Sequence, residues 1–233
     1  QILVGGGVIS DGSLFVGAVD GTVSSIDMQS GRTNWNASAA ASTGLDSWSL
    51  LAHNGMIITV GRRAGFAIAP DLGGNEVVIA LDARNGRTLW TFKPDVLVYN
   101  FIGSFVDGPP SLIFSDRNGV PYRISLCDGR LLWRNQAGRE DAGFTTGGAI
   151  VEPSSGRVFV TGNVRANGIS RGSVTAYDAL SGARLWEHLT SMEANNGPAV
   201  GRLQQGSERL SVVVAVGQNP SFPNPVAELL GHY

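Results

Sequence analysis

The sequence predicts an all-β fold assembled from repeated four-stranded antiparallel units. Three observations carry that expectation: a glycine-rich and charge-poor composition, a motif that recurs four times, and a pair of apolar runs ahead of each copy. Of 233 residues 32 are Gly and 10 are Pro, with 42% hydrophobic residues and only 15% charged. Gly at about twice its usual share and charge well below the usual quarter speak against long helices and against disorder. A net charge of −2 gives no positive field, so no nucleic-acid partner is expected. No apolar run approaches the roughly eighteen residues a membrane span needs, so no direct span is expected. The first residues lack the pattern of a signal peptide, and opening on Gln1 reads as a chain whose own start is not represented. The single Cys127 can form neither an internal disulfide nor a thiolate zinc site.

The repeat is Ala or Ser, any residue, Asp, three residues, Gly, three residues, Trp. Its copies run over 25–35, 80–90, 123–133 and 176–186, and each places Trp four residues after Gly: Gly31 and Trp35, Gly86 and Trp90, Gly129 and Trp133, Gly182 and Trp186. Successive tryptophans are 55, 43 and 53 positions apart, a period that fits a four-stranded blade and exceeds a solenoid rung.

Each part of the motif has a physical reason. The continuous apolar run before the Asp, such as Val77 to Leu81, reads as a strand covered on both faces. Asp27, Asp82 and Asp178 end that strand and fold a carboxylate back onto backbone N–H groups two residues on. Gly31, Gly86, Gly129 and Gly182 then supply a positive φ for the turn. In the following strand Leu89 and Trp90, Leu132 and Trp133, and Leu185 and Trp186 point to opposite faces. Both faces are therefore expected to be buried, as in a sheet stacked between two others.

Two more strands are expected ahead of each copy. They are Gly7 to Ser10 and Ser13 to Gly17 around Asp11-Gly12, Trp48 to Leu51 and Met56 to Val60 around Asn54-Gly55, Phe101 to Phe105 and Ser111 to Phe114 around Asp107 to Pro110, and Gly148 to Val151 and Val158 to Thr161 around Ser154 to Gly156. Asp-Gly and Asn-Gly between apolar runs signal tight hairpins. The units then span about 3–36, 46–93, 100–136 and 144–189. A partial fifth runs over about 196–217, with a proline-bearing tail over 218–233.

These residues resemble the tryptophan-docking repeat of quinoprotein-like, or PQQ-repeat, β-propellers, and the resemblance covers nearly the whole chain. It departs at Ser125, which stands where the third copy would have Asp, and at Asn34, which replaces the usual Leu before Trp35. The resemblance implies an all-β propeller of about four complete blades plus the start of a fifth, in an incomplete or open ring. Its family includes quinone-dependent alcohol and sugar dehydrogenases, a scaffold lipoprotein of outer-membrane assembly and lumenal sensor domains. Fold alone therefore leaves the function open. Family members work mostly outside the cytosol, so an extracytoplasmic or lumenal setting is the expectation.

The residues favour a non-catalytic scaffold or protein-interaction subunit of a larger assembly, with a segment of a quinone-dependent dehydrogenase and a lumenal sensor or ligand-binding module as the alternatives. Dehydrogenases of the family bind quinone with calcium, and many carry an adjacent cysteine pair that this chain lacks. No cofactor is expected, PQQ and calcium entering only under the dehydrogenase alternative. No catalytic or metal residue is assigned, since the aspartates have turn-capping work and the tryptophans core packing. Gly168 to Gly172 matches a Gly-x-Ser-x-Gly elbow, but a strand follows where that elbow needs a helix. His53, His188 and His232 lack metal-site spacing.

The chain's individuality lies in its connections. With strands A to D in each unit, the B–C loops and D–A crossovers emerge on one face. The B–C loops are long in unit two, Gly61 to Asn75, and in unit four, Gly162 to Gly172. They carry Arg62, Arg63, Arg165 and Arg171, the candidate residues for docking a partner protein or an anionic group.

Overall fold

The computed structural model describes residues 6–44, 50–65, 74–135, 141–166, 168–203, 205–206 and 209–217. Within them the chain forms four successive antiparallel blades and the first half of a fifth. Blade 1 is β1 (Val8–Ser10), β2 (Ser13–Gly17), β3 (Thr22–Asp27) and β4 (Thr33–Ser38). Blade 2 is β5 (Leu50–His53), β6 (Met56–Gly61), β7 (Val77–Asp82) and β8 (Thr88–Phe92). Blade 3 is β9 (Gly103–Val106), β10 (Ser111–Ser115), β11 (Pro121–Ser125) and β12 (Leu131–Arg134). Blade 4 holds β13 (Ala142–Gly143), β14 (Ala149–Glu152), β15 (Arg157–Ala166), β16 (Ile169–Asp178) and β17 (Arg184–Leu189). β18 (Ala199–Gly201) and β19 (Ser211–Val213) follow. Asp11-Gly12 and Asn54-Gly55 take positive φ at both residues, the geometry that closes a two-residue hairpin without splaying its strands.

Strand register sorts each blade into two faces. Trp35, Ser25, Phe15 and Val8 form one row across blade 1, and Trp90, Ala80, Ile58 and Leu51 form the same row in blade 2. Trp133, Arg123, Ile113 and Ser104 form it in blade 3, and Trp186, Ala176, Phe159 and Ile150 in blade 4. Each of the first three rows packs on the opposite face of the next blade, so there is one apolar cluster per interface. Phe15, Val23 and Trp35 meet Ile57, Ile79 and Leu81, and Ile58, Ala80 and Trp90 meet Leu112, Phe114, Tyr122 and Ile124. Ile113 and Trp133 meet Ala149, Val158, Val160 and Tyr177.

The tryptophans tie these interfaces together across the chain. Trp35 Nε1–H donates to Ala83 O at 3.0 Å, Trp90 to Leu126 O at 2.8 Å and Trp133 to Ala179 O at 3.2 Å. Each accepting carbonyl lies three residues before the next blade's turn glycine. A Cβ at Gly86 would lie 2.7 Å from the Trp35 ring, one at Gly129 2.7 Å from Trp90, and one at Gly182 2.6 Å from Trp133. Glycine at these positions thus serves twice, accepting φ near +74° and leaving room for an indole. Gly31 has a similar φ of +69°, but nothing lies within 4 Å of where its Cβ would be.

The aspartates cap the turns. Asp27 Oδ1 accepts from the N–H and hydroxyl of Ser30, and Asp178 Oδ1 from those of Ser181. Asp82 accepts from Arg84, whose side-chain hydrogen bonds hold that carboxyl at about 2. In blade 3 the order is reversed: Ser125 stands where the others have Asp, and its hydroxyl bonds the Asp128 carboxylate three residues on. Ser125 Oγ also accepts from Cys127 N–H.

Two expectations need correction. Strand D is not buried on both faces: Leu89 is 40% and Leu185 47% exposed, because D is the outermost strand and the next blade covers only its Trp side. The Gly162 to Gly172 connection is not a loop. β15 and β16 run on as a paired hairpin as far as Ala166 and Ile169, and β13 adds a fifth strand against Asn163 and Val164. The hairpin persists because Thr161, Asn163 and Val164 are buried there. The Gly-x-Ser-x-Gly string lies in its second strand. Trp48, His232, the tail and 66–73 of the unit-two loop lie outside the described residues.

Gly31→Ala and Gly129→Ala separate the two demands on the turn. The first is expected to cost about 1 kcal/mol, the strain of a left-handed alanine. The second should cost roughly 3 kcal/mol or more, because the new methyl also meets Trp90. Urea midpoints of the two variants check this, and equal shifts would mean that indole contact adds nothing.

Candidate partner-binding face

The B–C turns and D–A crossovers share one face, where backbone hydrogen bonds stitch each crossover to the blades around it. Thr43 N–H donates to Val19 O in the blade before, and Arg62 N–H to Ser42 O from the blade after. Next along the arc, Asn75 and Val98 exchange both backbone bonds, and Arg117 N–H reaches Leu97 O. Thr145 N–H to Arg117 O and Arg165 N–H to Asp141 O repeat the scheme, and Gly217 N–H to Glu193 O ends it.

Buried side chains reinforce the same plate. Thr43 Oγ1 donates to Ala18 O, and Thr145 Oγ1 to Ala194 O. Asn75 Oδ1 accepts from Gly44 N–H. Asn163 donates to Phe144 O and accepts from Ala194 N–H. Satisfied buried amides and hydroxyls of this kind hold a surface in one arrangement.

The four arginines occupy this face in two pairs, on blades 2 and 4 with blade 3 between them. Arg62 is half-buried, and its Nε donates to Gly74 O at 2.8 Å. Burial lowers its pKa from the ordinary guanidinium value. It holds the chain together at that point. Arg63 is exposed, with its backbone N–H on Glu76 Oε1. Arg165 and Arg171 are exposed on the projecting β15–β16 hairpin, opposite Ser170 and Val164. Alternation sends their side chains to opposite faces of that hairpin.

One group on this face was not foreseen. Asp116, in the turn between β10 and β11, is 1% exposed. Its Oδ1 accepts from Asn118 N–H and Val120 N–H, and Oδ2 from the Tyr122 hydroxyl at 3.1 Å. Burial pushes its pKa up to about 6, against the pull of those bonds. The string Asp116-Arg117-Asn118-Gly119 signals a turn, but sequence spacing does not show that Asp116 is buried or that this turn is stitched through Arg117 to Leu97 and Thr145 on the two neighbouring crossovers.

The described residues of this part of the propeller do not bring together a donor set for calcium with a quinone. Among the described residues no three His, Cys, Asp or Glu side chains come together, the oxygens of Asp116 are occupied, and Glu76 already accepts from Arg63. A single cysteine cannot supply the adjacent pair.

The repeated blades have counterparts among known proteins. The family model described as outer membrane protein assembly factor BamB matches residues 2–105 and 100–221. The chain belongs to this PQQ-repeat family. BamB of Moranella endobia (strain PCIT) is 28% identical over 125 residues, which are 54% of this chain and 27% of that protein. Among solved structures, quinohemoprotein alcohol dehydrogenase from Comamonas testosteroni superposes with a TM-score of 0.61 at 11% identity. The match covers 91% of this chain and 39% of the dehydrogenase, and it shows the shared propeller fold. BamB from Moraxella catarrhalis gives a TM-score of 0.49 at 14% identity, over 82% of this chain and 66% of that one. The chain thus spans less than two thirds of the length of these relatives.

The raised pKa of Asp116 sets a direction for stability against pH. A carboxyl that binds its proton more tightly folded than unfolded adds stability as pH falls through about 6, levelling off near 3.8. Relative to Asp116→Asn, the chain is therefore expected to gain on the order of 2 kcal/mol between pH 7.5 and pH 4.5. The difference between the two proteins' urea midpoints reads this without the other carboxylates, and a flat difference would show that Asp116 titrates normally.

Proposed function

We propose that the chain is part of a non-catalytic β-propeller scaffold that docks another protein subunit through its loop face, in an extracytoplasmic assembly. The supporting observation is the loop face itself: a plate stitched by backbone bonds, from which a long hairpin projects with exposed Arg165 and Arg171, while Arg63 is exposed on the same face at blade 2. Membership of a family described by an outer membrane protein assembly factor supports the same reading. Rigid presentation reduces the ordering cost of association, and exposed arginines suit a partner surface rich in carboxylates. No cofactor enters this reading. The dehydrogenase alternative has the fold likeness on its side, but not the donor set.

Arg62 belongs outside the binding test because its side chain supports the fold. The triple variant Arg63→Ala, Arg165→Ala, Arg171→Ala is expected to keep the wild-type unfolding midpoint and to lose about tenfold or more in cross-linked recovery of its envelope partner. Unchanged recovery from a folded triple variant would remove these arginines from the interface. Reconstitution with quinone and calcium is expected to give no dye reduction with alcohols or sugars, and turnover there would favour the enzyme instead.

A further inference from the structure

Asparagine followed by glycine is open to self-modification, because the glycine amide nitrogen can attack the asparagine side-chain amide with no Cβ in its way. The chain has five such pairs, and Asn167 of one lies outside the described residues. In three of the other four the joining peptide is pinned. Gly86 N–H donates to Asp82 O at 2.8 Å and Gly119 N–H to Asp116 O at 2.9 Å, so both nitrogens are held in their turns. Asn85 Oδ1 is also engaged, by Arg87 N–H. The Asn196 carbonyl accepts from the Thr161 hydroxyl at 2.7 Å.

Asn54-Gly55 differs from these. It is the exposed two-residue turn between β5 and β6, and among the described residues neither Asn54 O nor Gly55 N–H has a hydrogen-bond partner. Asn54 Nδ2 lies 3.0 Å from His53 Nε2, an exposed contact that water replaces at little cost. For Gly55 N to close a five-membered ring on Asn54 Cγ, that nitrogen must eclipse Cβ about the Cα–C bond, which needs ψ of about −120°, the value at the first central residue of a type II′ turn. Asn54 has φ +46° and Gly55 φ +74°, the pair of a type I′ turn. Turning over only the peptide plane between them gives type II′, with Asn54 still at positive φ. Both types close a two-residue hairpin, so the pairing of His53 with Met56 survives the flip. The Ala83 N–H bond to Gly55 O lies in the following plane and is untouched. The reactive geometry is thus the hairpin's own alternative turn, reached without opening the blade.

We propose that Asn54 is a spontaneous deamidation site selected by the fold. Gly55 N bonds to Asn54 Cγ and gives its proton to solvent, while the Cγ–Nδ2 bond breaks and the departing nitrogen takes up a proton to leave as ammonia. Water then opens the cyclic imide. Addition at Cγ leaves an ordinary aspartate, and addition at the backbone carbonyl leaves a β-linked isoaspartate. The first product fits, since Asp11-Gly12 makes the same turn in blade 1 with φ +47° and +73°. The second adds a backbone atom to a turn that has no slack between His53 and Met56. Asp11 is itself a poor target, because a carboxylate resists attack by an amide nitrogen. The site is at an A–B turn, on the side opposite the loop face, so this proposal and the scaffold reading can fail separately.

The folded 233-residue chain is held in mildly alkaline buffer, a second sample in concentrated urea, and each Asn-Gly pair is followed by peptide mass spectrometry. In the folded chain Asn54 is expected to convert about tenfold or more faster than Asn85, Asn118 and Asn196, whereas in urea the four should convert at similar rates. Two products are expected at position 54, one eluting with the Asn54→Asp protein on ion exchange and one carrying the β-linkage. Conversion of Asn54 in the folded chain no faster than the other three would overturn the proposal. So would an equal preference for Asn54 in urea, which would assign the selectivity to sequence, or the absence of the β-linked product, which would mean direct hydrolysis without ring closure.

Discussion

An indole resting on the glycine turn of the next blade is the contact on which the order of this molecule depends. Apolar burial between sheets is strong but has little direction, and two flat faces could slide past one another. The Trp Nε1–H bond to a defined carbonyl removes that freedom, and the missing Cβ lets the ring come close enough for it to form. Three such contacts, Trp35 on Gly86, Trp90 on Gly129 and Trp133 on Gly182, set the spacing and phase of the blades. The interior of each interface can then vary. Blade 3 places Arg123 in the row where blades 2 and 4 have Ala, and satisfies it with Ser111, Pro109 and Leu180.

The same division explains why one face carries the variation. The C–D turns of blades 2, 3 and 4 are held by an indole above and a carboxylate or hydroxyl cap within, so insertions there would break both. The B–C turns are held mainly by backbone bonds to the crossovers, which persist whatever the intervening sequence does. Blade 2 extends its B–C connection and blade 4 builds it into a hairpin, while the stitching from Thr43 to Gly217 continues unbroken. Functional diversity has room there at little structural cost.

Much of this was legible in the residues. Gly and Trp four apart, in register, announce a contact that needs both, and Asp-Gly and Asn-Gly mark hairpins whose φ values follow. What escaped was set by neighbours distant in sequence. Asp116 looks like any turn aspartate until its turn is stitched through Arg117 to two crossovers, and Arg62 looks like a loop cation until Gly74 takes its Nε–H. Gly162 to Gly172 has turn-like composition, yet β13 gives it a partner strand. Strand D was expected to be covered twice because alternation shows which residues face apart, not whether a sheet's last strand has a neighbour on each side.

The reversed pair in blade 3 has a consequence for how such repeats diverge. Asp27 with Ser30 and Asp178 with Ser181 keep the carboxylate first, whereas Ser125 with Asp128 keeps it last, and all three pairs join the ends of the turn. In these three blades a bond between the two positions is kept while the residues exchange, whereas blade 2 satisfies Asp82 with Arg84 instead. Passing from one arrangement to the other by single changes goes through Asp facing Asp, which repel, or Ser facing Ser, which lacks the charge. The two sites are therefore epistatic. A profile that scores the first position by itself reads blade 3 as degenerate, while one that scores the pair jointly reads it as intact.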